Sequence, residues 1–160
     1  MNKYLFYPGC SMTRSARPYL DSLNAIRADI DMVLEEVQDW NCCGATEYAS
    51  VHRIPAHALV GRNLALAQKQ VDGTNTVVVG CSACYLNLTK TDHYMHKDAR
   101  LNVRVNDALA AGGLHYDPGS VQVRHLLDIV AYEVGLEAIR RKVVKPLKGL
   151  RVAPYYGCMV

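Results

Sequence analysis

No apolar run in these 160 residues is long enough to cross a bilayer. The longest, such as TVVVGCSAC at 76–84, falls far short of the roughly 20 residues that a spanning helix needs. Charge of one sign is also scarce. Eighteen basic residues against fifteen acidic ones leave a net charge of +3, too small and too dispersed for a nucleic-acid-binding surface. The opening stretch MNKYLFYPGC has one lysine and no small-residue cleavage site. That argues against a secretory signal and predicts a cytoplasmic protein. With 50% hydrophobic and 21% charged residues, the composition is that of one soluble globular domain able to bury a core.

Cysteine, by contrast, is abundant. Six occur, at positions 10, 42, 43, 81, 84 and 158. In a chain with no export signal such a set means metal or redox chemistry more often than structural disulfides. The adjacent pair in DWNCCGATEY (39–48) poses the sharpest question. Neighbouring Cα atoms are about 3.8 Å apart, closer than the roughly 4.4–6.8 Å of an ordinary disulfide. Two adjacent thiols can instead hold one metal centre from two sides.

Strand and helix signals alternate along the chain. Strands are expected at 3–8, 75–80 and 150–155, the second being β-branched and apolar like a buried parallel strand. A helix is expected over 17–37, where Leu20, Leu23, Ile26, Ile30, Val33 and Val37 recur at three- and four-residue spacing behind Pro18. LEEVQDW at its end reads as a short strand leading to Asn41. Further helices are expected at 55–71, stopped by Asp72-Gly73, at 82–96, and at 121–141, broken by Lys145-Pro146, with a loop at 110–120. Alternation of this kind predicts an α/β fold, a small and mostly parallel sheet with flanking helices. Each cysteine group then follows a strand, at the carboxyl edge where open α/β sheets bind ligands.

The chain also repeats itself in part. KYLFYPGCSM and RVAPYYGCMV share a basic residue, an apolar strand pattern, a tyrosine two or three residues before the cysteine, and Gly-Cys. The expected division is therefore 1–148, a complete unit, and 149–160, the first strand and first cysteine of a second, truncated one.

Within the complete unit, 31 residues separate Cys10 from Cys42-Cys43-Gly44, and 37 separate Cys43 from Cys81-Ser82-Ala83-Cys84. A C-x-x-C where a strand turns into a helix is shared by zinc sites, iron–sulfur sites and redox pairs. The helix terminus favours the thiolate that each of them needs. Five thiolates exceed the four that a structural zinc or an ordinary 4Fe–4S cube takes. Either one cysteine is free for chemistry, or the centre is not an ordinary cube. Gly9, Gly44 and Gly80 beside the cysteines can serve close approach to a cofactor or a simple turn.

YPGC, DWNCCGATE and GCSACYLNL at these spacings closely resemble the CCG domain, the cysteine-rich domain of the heterodisulfide reductase B-type subunit. The resemblance covers essentially the whole chain. It extends to B-type subunits of sulfur-oxidising complexes and to iron–sulfur subunits of lactate, glycolate, glycerol-3-phosphate and fumarate oxidoreductases. It implies a noncubane 4Fe–4S cluster held by Cys10, Cys42, Cys43, Cys81 and Cys84, with zinc or an empty site in an aerobic sample. Cys158 would be the first ligand of an incomplete second centre, and chemistry would centre on the cluster at Cys42 and Cys43. The implied activity is that of an oxidoreductase acting on sulfur groups, reducing or forming a disulfide with electrons exchanged with iron–sulfur and flavin subunits. Its reactant would be a disulfide, a thiol or a sulfur-carrier protein, and the isolated piece would be inactive. The alternatives are an electron-relay module of a lactate-, glycolate- or fumarate-type complex, and a structural zinc-binding domain. The fifth cysteine argues against the zinc reading.

Of the histidines, His52 and His57 flank the second long helix and could approach the centre as proton donors, while His93 and His96 read as surface residues. Trp40 and Tyr48 read as packing around the cysteine pair. Glu47 is near enough in sequence to support it. RRKVVKPLKGLR (140–151) reads as a solvated basic helix end.

Overall fold

The computed structural model describes residues 2–45 and 48–154. Four strands form one sheet: β1 (Asn2–Tyr7), β2 (Met32–Glu36), β3 (Thr76–Val79) and β4 (Gln122–His125). They lie in the order β2-β1-β3-β4 and every pairing is parallel. A short α1 (Gly9–Thr13) and α2 (Arg17–Ile26) join β1 to β2. Next, α3 (Tyr48–Val51) and α4 (Arg53–Lys69) lead to β3, and α5 (Ser82–Lys97) and α6 (Ala99–Ala110) lead to β4. The last helical stretch runs as α7 (Leu126–Asp128), a π-helical segment (Ile129–Gly135) and α8 (Leu136–Lys142). None of the described helices is long and apolar enough to cross a membrane.

The path runs from β1 outward to β2, then back past β1 to β3 and β4. Parallel crossovers are right-handed, so reversing direction places the connecting helices on opposite faces. The side chains agree. Leu5, Tyr7, Val77 and Val79 point to one face and pack with Val60 and Leu64 of α4, Leu88 of α5 and Val105 of α6. Tyr4, Phe6 and Val78 point to the other and pack with Met12, Leu23, Leu126 and Ile129. Covering on both faces explains why β1 and β3 read as continuous apolar runs. The edge strands keep polar residues such as Glu35 and Arg124 instead.

Two expected helices are corrected. The helix expected over 17–37 stops at Ile26, and 32–36 is strand. Arg27 to Asp31 form a turn in which Asp31 takes a left-handed φ of 57° and the Met32 N–H donates to the Arg27 carbonyl. Aspartate tolerates that conformation better than most residues, and pairing with β1 then claims Met32–Glu36. Ile30, Val33 and Val37 had matched the helical period by coincidence. The helix expected over 121–141 likewise begins as β4, whose Val121–Val123 alternation was absorbed into a longer helical reading. Helical turns then run from Leu126 to Lys142, broken at Gly135, whose φ is 83°.

The strand expected at 150–155 is not formed in its described part, since 150–154 are irregular, and Tyr155 lies outside the described residues. Helix α6 had no counterpart in the sequence reading. Asp98 caps it, accepting from the N–H groups of Arg100 and Leu101, and Leu101, Val105 and Leu109 form its buried stripe.

Candidate functional site

The strand order turns at β1. The chain leaving β1 passes to the α2 face and the chain leaving β3 passes to the α4–α6 face, which opens a crevice at the carboxyl ends of these neighbouring strands. Cys10 lies just past β1, and Cys81 and Cys84 lie just past β3. The segment after β2 brings in Cys42 and Cys43. The structure thus gathers five of the six cysteines at one edge, while Cys158 lies outside the described residues.

Their sulfurs form two close pairs. Cys10 and Cys42 are exposed, with Sγ atoms 3.4 Å apart. Cys43 and Cys84, each 2% exposed, are also 3.4 Å apart. Cys81 is half-buried at the start of α5 and completes the inner group.

Each segment is held by specific contacts. Gly9 has a left-handed φ of 67°, and a Cβ there would sit 2.9 Å from Cys84 Sγ. Only glycine lets the turn after β1 rest on the inner pair. Gly44 has a φ of 64°, and a Cβ there would sit 2.8 Å from Leu59. Asn41, just before the cysteine pair, is clamped onto α4. Its N–H donates to Asn63 Oδ1 (2.9 Å), and its carbonyl accepts from Asn63 Nδ2 (3.0 Å) and Tyr7 OH (2.7 Å). Its own Nδ2 donates to the Leu59 carbonyl at 3.0 Å. Asn87 of α5 donates to the Cys43 carbonyl at 3.3 Å.

These surroundings divide the thiols electrostatically. Cys81 is lowered to about 5, first by the Cys84 thiol donating to it and then, against the cost of burial, by the backbone N–H groups of Cys84 and Ala83. Cys43 is lowered to about 7, again chiefly through Cys84. Cys84, hydrogen-bonded to Cys43 and Cys81 and buried, is pushed well above the ordinary thiol range. Cys10 is raised by the Cys42 thiol beside it. The inner group therefore offers thiolates at the start of a helix, where the dipole also favours them. Burial above all, then the nearby sulfur charges, keep Tyr7 protonated beneath the site.

A cavity of about 750 Å³ opens beside Cys43 between α4 and α5, with Tyr48, Arg53, His57, Asn87 and Lys90 among its walls. His57 lines it and bonds Thr91 Oγ1 through Nδ1 at 2.9 Å. Burial and then Arg53 lower its proton affinity. His52 is exposed and packs on Tyr48, and His93 and His96 are exposed on α5. Trp40 packs edge-on against Tyr7, with centroids 5.5 Å apart. Glu47 lies outside the described residues. The sequence reading missed Asn41, Asn63 and Asn87. Asn41 was discernible as the polar residue leading into the cysteine pair, whereas Asn63 and Asn87 sit inside helices and carry no local signal.

An open, doubly wound α/β domain with a thiol cluster at its switch point is the class this geometry defines. The cysteine-rich domain (CCG) family model matches residues 4–89, and the chain belongs to that family. It is 34% identical over 156 residues to the 8-methylmenaquinol:fumarate reductase membrane anchor subunit of Wolinella succinogenes, covering 98% of this chain and 52% of that one. It is 28% identical to a protein of Archaeoglobus profundus that is like the B-type subunit of heterodisulfide reductase, covering 99% and 52%. To the B-type subunit of the ferredoxin:CoB-CoM heterodisulfide reductase of Methanosarcina mazei it is 26% identical, covering 99% and 51%. The chain thus spans about half the length of these relatives. A hypothetical protein from Helicobacter pylori has a crystal structure that superposes with a TM-score of 0.67 at 15% identity, over 80% of this chain and 25% of that one. That likeness supports the fold alone.

Proposed function

We propose that this chain is an iron–sulfur electron-transfer unit of a multi-subunit oxidoreductase, with Cys10, Cys42, Cys43, Cys81 and Cys84 holding a noncubane 4Fe–4S centre. The convergence of five thiols at one sheet edge, as an exposed pair and an inner group of three joined through the adjacent residues 42 and 43, carries the reading. Around a single zinc at about 2.3 Å, thiolates lie about 3.8 Å from one another as a set of four. Five thiols gathered at one edge exceed the four that such a zinc takes. A donor set of five soft sulfurs, divided between an exposed pair and an inner group of three, suits a centre of several irons better.

Once bound, the centre would accept and release single electrons. The protein's part is to hold its ligands. Helix α5 and the turn before it supply the thiolates of Cys81 and Cys84, the Asn41–Asn63 clamp fixes the segment before the cysteine pair, and Tyr7 and Trp40 pack beside it. Partner subunits carrying iron–sulfur or flavin groups would exchange electrons with it, in the cytoplasm. Residues 149–160 would open a second unit, with Cys158 its first ligand, a division supported by the repeated sequence and by relatives about twice as long.

Two finer readings follow. The fumarate reductase relative favours an electron relay. The cavity beside Cys43 favours reduction or formation of a disulfide or thiol-linked reactant there, as in the heterodisulfide reductase relatives. Anaerobic reconstitution should give about four irons and about four sulfides per chain. Consumption of reduced viologen with a disulfide, measured with partner subunits and the second unit present, separates the readings. Turnover supports disulfide chemistry, and electron passage without it supports the relay. Failure to bind iron and sulfide together sinks both.

A further inference from the structure

Strand β4 ends at His125, which pairs with Val79 across the sheet, two residues short of Cys81. Its imidazole is 7% exposed. Nδ1 accepts the Leu127 N–H at 3.2 Å and caps the final helical stretch. A neutral ring that accepts at Nδ1 carries its proton on Nε2. That Nε2 is buried and has no hydrogen-bond partner among the described residues.

Leaving a buried N–H unpaired costs its full desolvation, and such groups call for an explanation. Tyr85, next to Cys84 on the first turn of α5, packs edge-on against the imidazole with centroids 5.7 Å apart. The ring is thereby fixed beside the Cys81–Cys84 turn.

We infer that His125 donates its Nε2–H to a sulfide of the centre at the Cys81 end of the site, an acceptor that the described side chains do not themselves supply. The inference rests on the iron–sulfur reading above. An N–H directed at a sulfur stabilises the added negative charge of the reduced state, so His125 tunes how readily the centre accepts an electron.

The test uses the 160-residue chain, reconstituted anaerobically with iron and sulfide, as wild type, His125→Gln and His125→Phe. The midpoint potential should fall clearly in His125→Phe and less in His125→Gln, whose amide still offers an N–H. Pulsed electron paramagnetic resonance on [15N]histidine-labelled protein should show a weak nitrogen coupling that His125→Phe abolishes. In metal-free protein, nitrogen–proton correlation spectra should find His125 as the Nε2–H tautomer.

Equal potentials in all three proteins, absence of the coupling from the wild type, or the Nδ1–H tautomer would each overturn the inference. A coupling that arises only after 2-mercaptoethanol is added would overturn it as well, by placing the acceptor on a bound thiol. If wild type binds no iron, the proposed function fails, and the acceptor assigned here fails with it. The tautomer is read without iron, so an error about His125 itself is distinguishable from that failure.

Discussion

Cys43 and Cys84 meet inside the larger core, among Tyr7, Val60 and Leu88, while Cys10 and Cys42 meet at the same sulfur separation in solvent. The inner pair is fixed by packing and by Asn87. The outer pair stands on the turn after β1 and on the segment after β2. Placing residues 42 and 43 side by side sends one sulfur to each surrounding, so a single peptide bond joins a rigid half of the site to an accessible half. A centre held this way is anchored on one side and open to reactants or electron partners on the other.

The largest expected effect tests that division directly. Cys43→Ser or Cys84→Ser should abolish iron retention after anaerobic reconstitution, because a hydroxyl replaces a thiolate poorly toward soft iron and no solvent ligand can enter the buried half. Cys10→Ser or Cys42→Ser should keep a measurable share of the iron. Equal loss in all four would erase the distinction.

The close approach behind the inner pair comes next. Gly9→Ala meets both a left-handed φ of 67° and Cys84 Sγ at 2.9 Å, whereas Gly113→Ala meets a φ of 66° with nothing within 4 Å. Both should lose about 1–2 kcal/mol to backbone strain. Urea unfolding of metal-free protein should show Gly9→Ala losing more. Matching losses would mean that the turn does not press on Cys84.

A smaller effect reverses the order that exposure alone suggests. In metal-free protein at a pH of about 6.5, Cys81, lowered to about 5, is already a thiolate, while exposed Cys10 is raised by its neighbour. Brief iodoacetamide treatment read by peptide mass spectrometry should label Cys81 ahead of Cys10. Labelling at Cys10 first would show that access outweighs ionisation.

The smallest effect is on stability. Cys10→Ser in metal-free protein should change unfolding free energy by no more than about 0.5 kcal/mol, as surface substitutions usually do.

The parallel α/β plan and the grouping of cysteines past its strands were readable because β1 and β3, buried on both faces, show as apolar runs with a cysteine group just beyond each. The edge strands were less so: LEEVQDW was read as a short strand and β2 forms two residues earlier, as Met32–Glu36, whereas β4 was read as helix. They are short and half polar, and each abuts a helix, so Val33 and Val37, or Val121 and Val123, fit a three- or four-residue period as well as an alternating one. Pairing with a distant strand decided the matter, and no local window contains that partner. The same limit hid His125. Nothing nearby in sequence reveals a buried ring nitrogen set beside the Cys81–Cys84 turn from a strand more than forty residues away.

Parallel pairing also sets an order of events. Leu5 pairs with Val77, and Val79 with His125, so the strands that bound the crevice close only after long loops have been drawn in, a slow kind of contact to form. The three cysteine-bearing segments, far apart in sequence, are held together in one place only once those contacts exist. Metal delivered too early would meet scattered thiols and could trap them in wrong combinations. If the chain holds the proposed centre, folding first and loading afterwards would avoid that trap, and tight loading would then add to the stability of the finished fold by mass action. On that proposal, the supply of iron and sulfide would act as a checkpoint on a polypeptide that has already found its shape.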